Sequence, residues 1–264
     1  GTSEEIVGEA IKGLDRTKVQ ILTKFGLRWD ETKGTHYFAS QNNQGQAIDI
    51  YKYAGPESII LECENSLRRL GTDYIDLYQI HWPDVTTGIE DSFEAVERLK
   101  EQGKVRYAGV CNYNVEQVKV AAPYIVSNQV PYSMVNRGIE AEVLPYCREK
   151  GIGVLAYSPL ERGLLTGKIT KDYRFESGDH RATHPHFSPD YIDRTQVLLD
   201  QIRPIAQHHG ASIHQAVLAW TLAQPGISAV LVGARNAAQS VSNAQRVHLS
   251  TEEIHQINAA VHAF

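Results

Sequence analysis

Two rhythms of hydrophobic and polar residues run along this chain. From Asp73 to Pro83 the run Asp-Tyr-Ile-Asp-Leu-Tyr-Gln-Ile-His-Trp-Pro carries apolar and aromatic residues between Tyr74 and Ile80. It is short enough for a strand and apolar enough to be covered on both faces, as in parallel sheets flanked by helices. Trp82 and Pro83 stop it, leaving His81 at its carboxyl end. Apolar residues at three- to four-residue spacing lie on either side: Ile59, Cys63, Leu67 and Leu70 before it, Ile89, Phe93, Val96 and Leu99 after it. That spacing puts them on one face of a helix, so the local unit reads helix, strand, helix.

The rest of the chain repeats this alternation. Ser3, followed by Glu4 and Glu5, reads as a capped helix start running to Lys12, where Gly13 ends it. Strands are expected at 18–24, 104–112, 127–132, 153–157 and 227–232, beside the one that ends at His81. Helices are expected at 56–70, 89–102, 115–122, 139–150, 191–209, 212–224, 236–245 and 250–263. Ser212 with Gln215, and Ser250 with Glu253, have capping-box spacing. Two long excursions interrupt the pattern. Gly26 to Gly55 carries Trp29, Tyr37, Phe38, Tyr51 and Tyr53 and reads as a lid or pocket wall. Ser158 to Pro189 is rich in Arg, His, Gly and Pro and reads as loop rather than core.

Six strands alternating with helices argue for an α/β fold with a parallel sheet. The size suits one large (β/α)8 TIM barrel over residues 1–264, and six βα units are visible where a closed barrel needs eight. The series opens with a helix and the only methionine is Met134, so the first two strands are expected upstream of Gly1. An open doubly wound sheet is the rival, weakened because no strand is followed by Gly-x-Gly-x-x-Gly.

Composition narrows the setting. Hydrophobic residues at 42% and charged residues at 22% are ordinary for a globular protein. A net charge of −5 gives no reason to expect nucleic acid or a membrane surface as partner. The odd count of cysteines (Cys63, Cys111, Cys147), each inside an expected element, suggests reduced core thiols and a cytoplasmic protein. No apolar run is long enough to span a bilayer. Nothing sets the oligomeric state.

Candidate chemistry collects at the carboxyl ends of the strands, where barrels of this type carry it. Those ends are Lys24, His81, Asn112, Gln129, Tyr157 with Ser158, and Gly233 with Arg235. Singly, each has an ordinary reading: a solvated lysine, a satisfied histidine, loop-entry amides, a core tyrosine, a surface arginine. A shared rim is what gives them weight. No metal site is expected, since His208 and His209 diverge on a helix and His184 and His186 have no Cys or Asp nearby.

Ser3-Glu-Glu-Ile-Val-Gly8, Thr23-Lys24, Arg68 to His81, Gly109-Val-Cys-Asn112, Tyr157-Ser-Pro-Leu160 with Gly163-Leu-Leu-Thr-Gly-Lys168, and Gly233-Ala-Arg235 stand in one order. In that order they resemble the aldo-keto reductase superfamily from end to end. The resemblance implies a (β/α)8 barrel that binds an extended nicotinamide dinucleotide, usually NADPH, and reversibly reduces aldehydes and ketones to alcohols. Lys24 resembles the family's catalytic lysine and His81 its catalytic histidine. The aspartate and tyrosine of the tetrad are expected on a segment ahead of Gly1.

By the same resemblance, Asn112 and Gln129 hold the nicotinamide carboxamide and Tyr157 stacks on its ring. Ser158, Leu160 and Gly163 approach the pyrophosphate, and Gly233, Arg235, Gln239 and Asn243 surround the adenosine end. Cys111 departs from the family's usual serine. Arg235 suits a 2′-phosphate, since a guanidinium grips phosphate with paired donors, which favours NADPH (the NADP couple) over NADH. The expected partner is a small-molecule carbonyl substrate. An alternative implied by some relatives is an NADPH-binding regulatory or sensing protein with little turnover.

Overall fold

The computed structural model describes residues 1–264 and separates into two compact units. The first comprises Gly1–Gln129 with Glu149–Ile152, the second Val130–Arg148 with Gly153–Phe264.

In the first unit, helix α1 spans Thr2–Ile11, with Gly1 rather than Ser3 at the capping position. The Gly1 carbonyl already accepts from the amides of Glu4 (2.9 Å) and Glu5 (3.1 Å), so Ser3 lies inside the helix. Lys18 to Gln20 are likewise outside a strand. Asp15 accepts from the Thr17 amide and turns Arg16–Lys18 into one 3-10 turn before β1 (Leu22–Phe25). Arg16 then reaches Asp76 at 2.7 Å, and Arg16 and Arg106 cover the two faces of the Tyr74 ring, each 3.9 Å from its centroid.

The excursion after β1 is not a loop. It forms a three-stranded antiparallel sheet from β2 (Leu27–Arg28), β3 (Thr35–Gln41) and β4 (Ala47–Lys52), in the order β2-β4-β3. Its hairpin closes where Asn42 Oδ1 accepts the amides of Gln44 (2.9 Å) and Gln46 (3.0 Å), with Gly45 at φ 76°. β4 (Ala-Ile-Asp-Ile-Tyr-Lys) alternates with the strand period, whereas β3 does not, and its register shifts between His36 and Phe38. The short Asn-rich turn joining them makes this aromatic-bearing segment a sheet rather than a loop.

Helix α2 (Pro56–Leu70) has Pro56 in its first turn and ends at Gly71, φ 63°. Strand β5 (Ile75–Ile80) follows, buried at all six positions. Then come α3 (Ile89–Glu101), β6 (Val105–Cys111), α4 (Val115–Ala121) and β7 (Ser127–Pro131). β1, β5, β6 and β7 pair in that order, all parallel. An Asn114–Gln117 capping box opens α4.

In the second unit the expected helix 139–150 is interrupted. A 3-10 turn, Gly138–Glu140, precedes α5 (Val143–Lys150). Glu140 is engaged by a double hydrogen bond from Arg137 (2.8 and 2.7 Å) and by the Tyr132 hydroxyl (2.6 Å), which fix the turn. β8 (Gly153–Tyr157) pairs in parallel with β9 (Ile227–Leu231). The segment between Ser158 and Pro189 has no long element, yet it is not all surface. Leu164, Ile169 and Phe187 form a buried cluster with Ile192 of α6 (Pro189–His208). Apolar residues at irregular spacing can fill a core without making a helix, which is why periodicity did not show them. Helices α7 (Ile213–Ala223) and α9 (Thr251–His262) carry the two expected capping boxes, and α8 (Ala237–Ala244) is capped by Asn236. Trp220 is buried, donating to Asn258 at 2.7 Å.

The three cysteines are buried free thiols. No helix is long and apolar enough to cross a membrane.

Candidate active site

The sheet register brings the first group of expected site residues together. Lys24 stands opposite Gln79, Gln79 opposite Gly109, and Gly109 opposite Ser127 across β1, β5, β6 and β7. Registered residues of parallel strands face the same side. Beyond this row the strand ends are stitched together. The His81 amide donates to the Phe25 carbonyl (2.9 Å), Asn112 Nδ2 to the His81 carbonyl (3.1 Å), and the Asn112 amide to the Gln129 carbonyl (2.9 Å). Lys24, His81, Asn112 and Gln129 therefore share the carboxyl ends of four adjacent strands.

The environment sets the charge state of this rim. Burial, and then the Lys24 ammonium, push the His81 imidazole down to about 4, so it is neutral at pH 7. Burial pushes the Cys111 thiol up to about 12, which removes it as a nucleophile at neutral pH. Below His81, the fully buried Gln79 side chain and the Ser127 hydroxyl have no hydrogen-bond partner. A Cβ at Gly109 would lie 2.5 Å from Ser127 Oγ, so the row is packed tightly enough to require glycine there.

Backbone strain marks the other expected residues. Four non-glycine residues have positive φ: Asn112 (61°), Ser158 (55°), Glu161 (43°) and Arg162 (53°). All four lie just after β6 or β8, at positions named from the sequence or between them, and such strain is concentrated at functional sites. At and after the end of β8, Tyr157, Ser158 and Leu160 are half-buried and Gly163 has φ 96°. Sequence reasoning missed what braces this turn. Glu161 is buried, 3.3 Å from His186 Nδ1 and 3.4 Å from the Ser133 hydroxyl. An acidic residue in a glycine-bearing turn carries no sequence signal of burial.

At the exit of β9, Gln239 Oε1 accepts the Arg235 amide (2.8 Å) and Asn243 Nδ2 donates to the Gly233 carbonyl (3.2 Å). The two side chains, four residues apart on α8, clasp the turn and present Arg235 exposed, with no ion pair. No group of three His, Cys, Asp or Glu side chains is arranged to hold a metal. An open depression of about 470 Å³ lined by Glu64, Arg68, Asp73 and Lys104 lies at the amino end of β5, away from His81.

A half-buried carboxyl with no sequence signal, Glu62, lies beside Gly26, just past the end of β1. Glu62 of α2 accepts from the Gly26 amide (3.0 Å) and Ser58 (3.0 Å), with Arg28 at 3.8 Å. Burial outweighs these contacts and raises its carboxyl to about 7.

Parallel strands whose carboxyl ends gather a lysine, a neutral histidine and two amides make a candidate site of the class found on α/β strand ends. The comparisons with known proteins make the class specific: residues 1–262 match the Aldo/keto reductase family, and the chain belongs to that family of nicotinamide-dependent oxidoreductases. It is 38% identical to the aldo-keto reductase YhdN of Bacillus subtilis (strain 168), over 98% of this chain and 75% of that protein. It is 36% identical to the NADH-specific methylglyoxal reductase of Escherichia coli (strain K12), over 96% of this chain and 77% of that one. Among solved structures it is similar to a glycerol dehydrogenase from Gluconobacter oxydans, with TM-score 0.86, 32% identity, 99% of this chain and 77% of that chain. The expected fold class, α/β with parallel strands and helical crossovers, is that of this family.

Proposed function

We propose that this protein reduces aldehydes and ketones to alcohols, reversibly, with hydride from NADPH. The observation that carries the reading is the pairing of Lys24 and His81 on hydrogen-bonded strand ends, with His81 held neutral beside a cation.

Hydride delivery to a carbonyl builds negative charge on its oxygen, which needs a proton donor and preorganised dipoles. A neutral His81 can hold the carbonyl oxygen by one N–H without surrendering its proton. Lys24 supplies the positive charge that depresses the pKa of a neighbouring phenol, the tyrosine of the family tetrad. Within residues 1–264, Lys24 and His81 are the tetrad members. The nicotinamide supplies the hydride when bound.

The residues present suit a dinucleotide. The strained turn Ser158–Gly163, braced by Glu161, is the segment we assign to the pyrophosphate. Asn112 and Gln129 are the partners for the carboxamide, Tyr157 for the ring, and Gly233, Gln239 and Asn243 for the adenosine end. Arg235, exposed and unpaired, supports NADPH over NADH. The test is steady-state NADPH oxidation with a panel of aldehydes, using the protein isolated from its native source. Turnover is expected; tight NADPH binding with no turnover would instead favour a regulatory role.

A further inference from the structure

The small antiparallel sheet carries a cation that the reading above does not use. Lys52, the last residue of β4, has its ammonium 4.3 Å from the centre of the Tyr37 ring and 5.0 Å from that of Trp82. The two rings are themselves 5.3 Å apart and tilted by 50°. Lys52 is half-buried and forms no ion pair. Carboxylates elsewhere in this unit have other partners: Asp49 bonds His36, Asp84 holds the Ala54 amide and Thr86, and Glu31 pairs with Arg28 and Lys33. Lys33 has its own ring contact, with Tyr53 at 5.6 Å, but keeps a carboxylate partner; Lys52 differs in having none.

Its place in the chain matters as much as its partners. The next residue, Tyr53, donates its amide to the Gly26 carbonyl (3.2 Å), two residues beyond Lys24. Trp82 directly follows His81. Lys52 is thus tied to the ends of both strands that carry the proposed catalytic pair. The rings fix the ammonium electrostatically and supply no hydrogen-bond acceptor, leaving its N–H donors available to an anion in a partly dehydrated setting. Phe38 packs edge-on against Tyr37 at 4.9 Å and is 45% exposed, extending the aromatic wall outward.

We infer that Lys52, seated on Tyr37 and Trp82, anchors a carboxylate on the carbonyl substrate, so that the preferred substrates are oxo-acids with an apolar or aromatic body. This rests on the proposed reductase function. It gives the site a selectivity that neither the methylglyoxal reductase nor the glycerol dehydrogenase states in its name.

The test compares 4-carboxybenzaldehyde with its neutral methyl ester. The native protein should favour the acid by about ten-fold in kcat/KM at low salt, with the advantage shrinking as salt is added. Lys52→Met should raise KM for the acid by about ten-fold and leave the ester within about two-fold, while Lys52→Arg keeps the preference. Equal handling of acid and ester, or an equal loss on both in Lys52→Met, would overturn the inference. Tryptophan fluorescence titrated with 4-carboxybenzyl alcohol reads the anchor without turnover. Binding about ten-fold weaker in Lys52→Met supports the anchor even if neither aldehyde is reduced, an outcome that would sink the reductase reading alone. Unchanged binding removes Lys52. Thermal melting of both variants confirms that each is folded.

Discussion

The backbone amide of His81 donates to the carbonyl of Phe25, the residue after Lys24, at 2.9 Å. One hydrogen bond between β1 and β5 thereby fixes the spacing at which an ammonium and a neutral imidazole leave the sheet, and it makes the two residues separable by experiment.

Lys24→Met removes the charge and keeps the aliphatic stem. Cofactor binding, followed by fluorescence titration of the native protein, should stay within about three-fold, while kcat for aldehyde reduction falls at least about a hundred-fold. Unchanged kcat would remove Lys24 from the proposed catalytic pair.

His81 and Glu62 bias stability in opposite directions with pH. The folded protein holds His81 at about 4, below its ordinary 6.5. As pH falls through that window the unfolded chain takes up a proton that the folded protein refuses, and stability drops. Glu62 is raised from 4.5 to about 7. As pH rises between those values the folded protein keeps a proton that the unfolded chain has lost, and stability drops again. Measured by urea denaturation against wild type, His81→Gln should gain about 2 kcal/mol on going from pH 7 to pH 5. Glu62→Gln should gain about 2 kcal/mol on going from pH 5 to pH 7. Parallel pH curves for either variant and wild type would contradict the burial assigned to that residue.

Gly109→Ala tests the packed row beneath the rim. Its Cβ would meet Ser127 Oγ at 2.5 Å and Gln79 Cγ at 3.2 Å, so a loss of about 1–3 kcal/mol is expected in denaturant unfolding. Ser127→Ala removes the nearer atom, whose hydroxyl has no partner to lose. The double variant should recover most of the stability; simple additivity would show that the clash lies elsewhere.

Arg235→Ala addresses cofactor choice. The guanidinium is exposed and held in place through its backbone by Gln239. KM for NADPH should rise about ten-fold with KM for NADH little changed, since only the former carries the extra phosphate. Equal effects on both cofactors would assign Arg235 to the pyrophosphate or to no contact.

The sequence alone determined the elements whose causes are local. The apolar run before His81 became a strand buried at every position, and the Ser212 and Ser250 boxes cap their helices, because a few neighbouring residues decide strand burial and helix caps. It also placed Lys24 and His81 at strand ends, and the family resemblance gave them the roles proposed above. Only the tertiary structure decided what those residues meet. The neutrality of His81 depends on burial and on a lysine 57 positions away, the bracing of Glu161 on His186 and Ser133, and the seat of Lys52 on rings from two separate segments. Charge state and side-chain partnership depend on distances between residues far apart in the chain. Periodicity reports only which face of an element is apolar, so it could not show them.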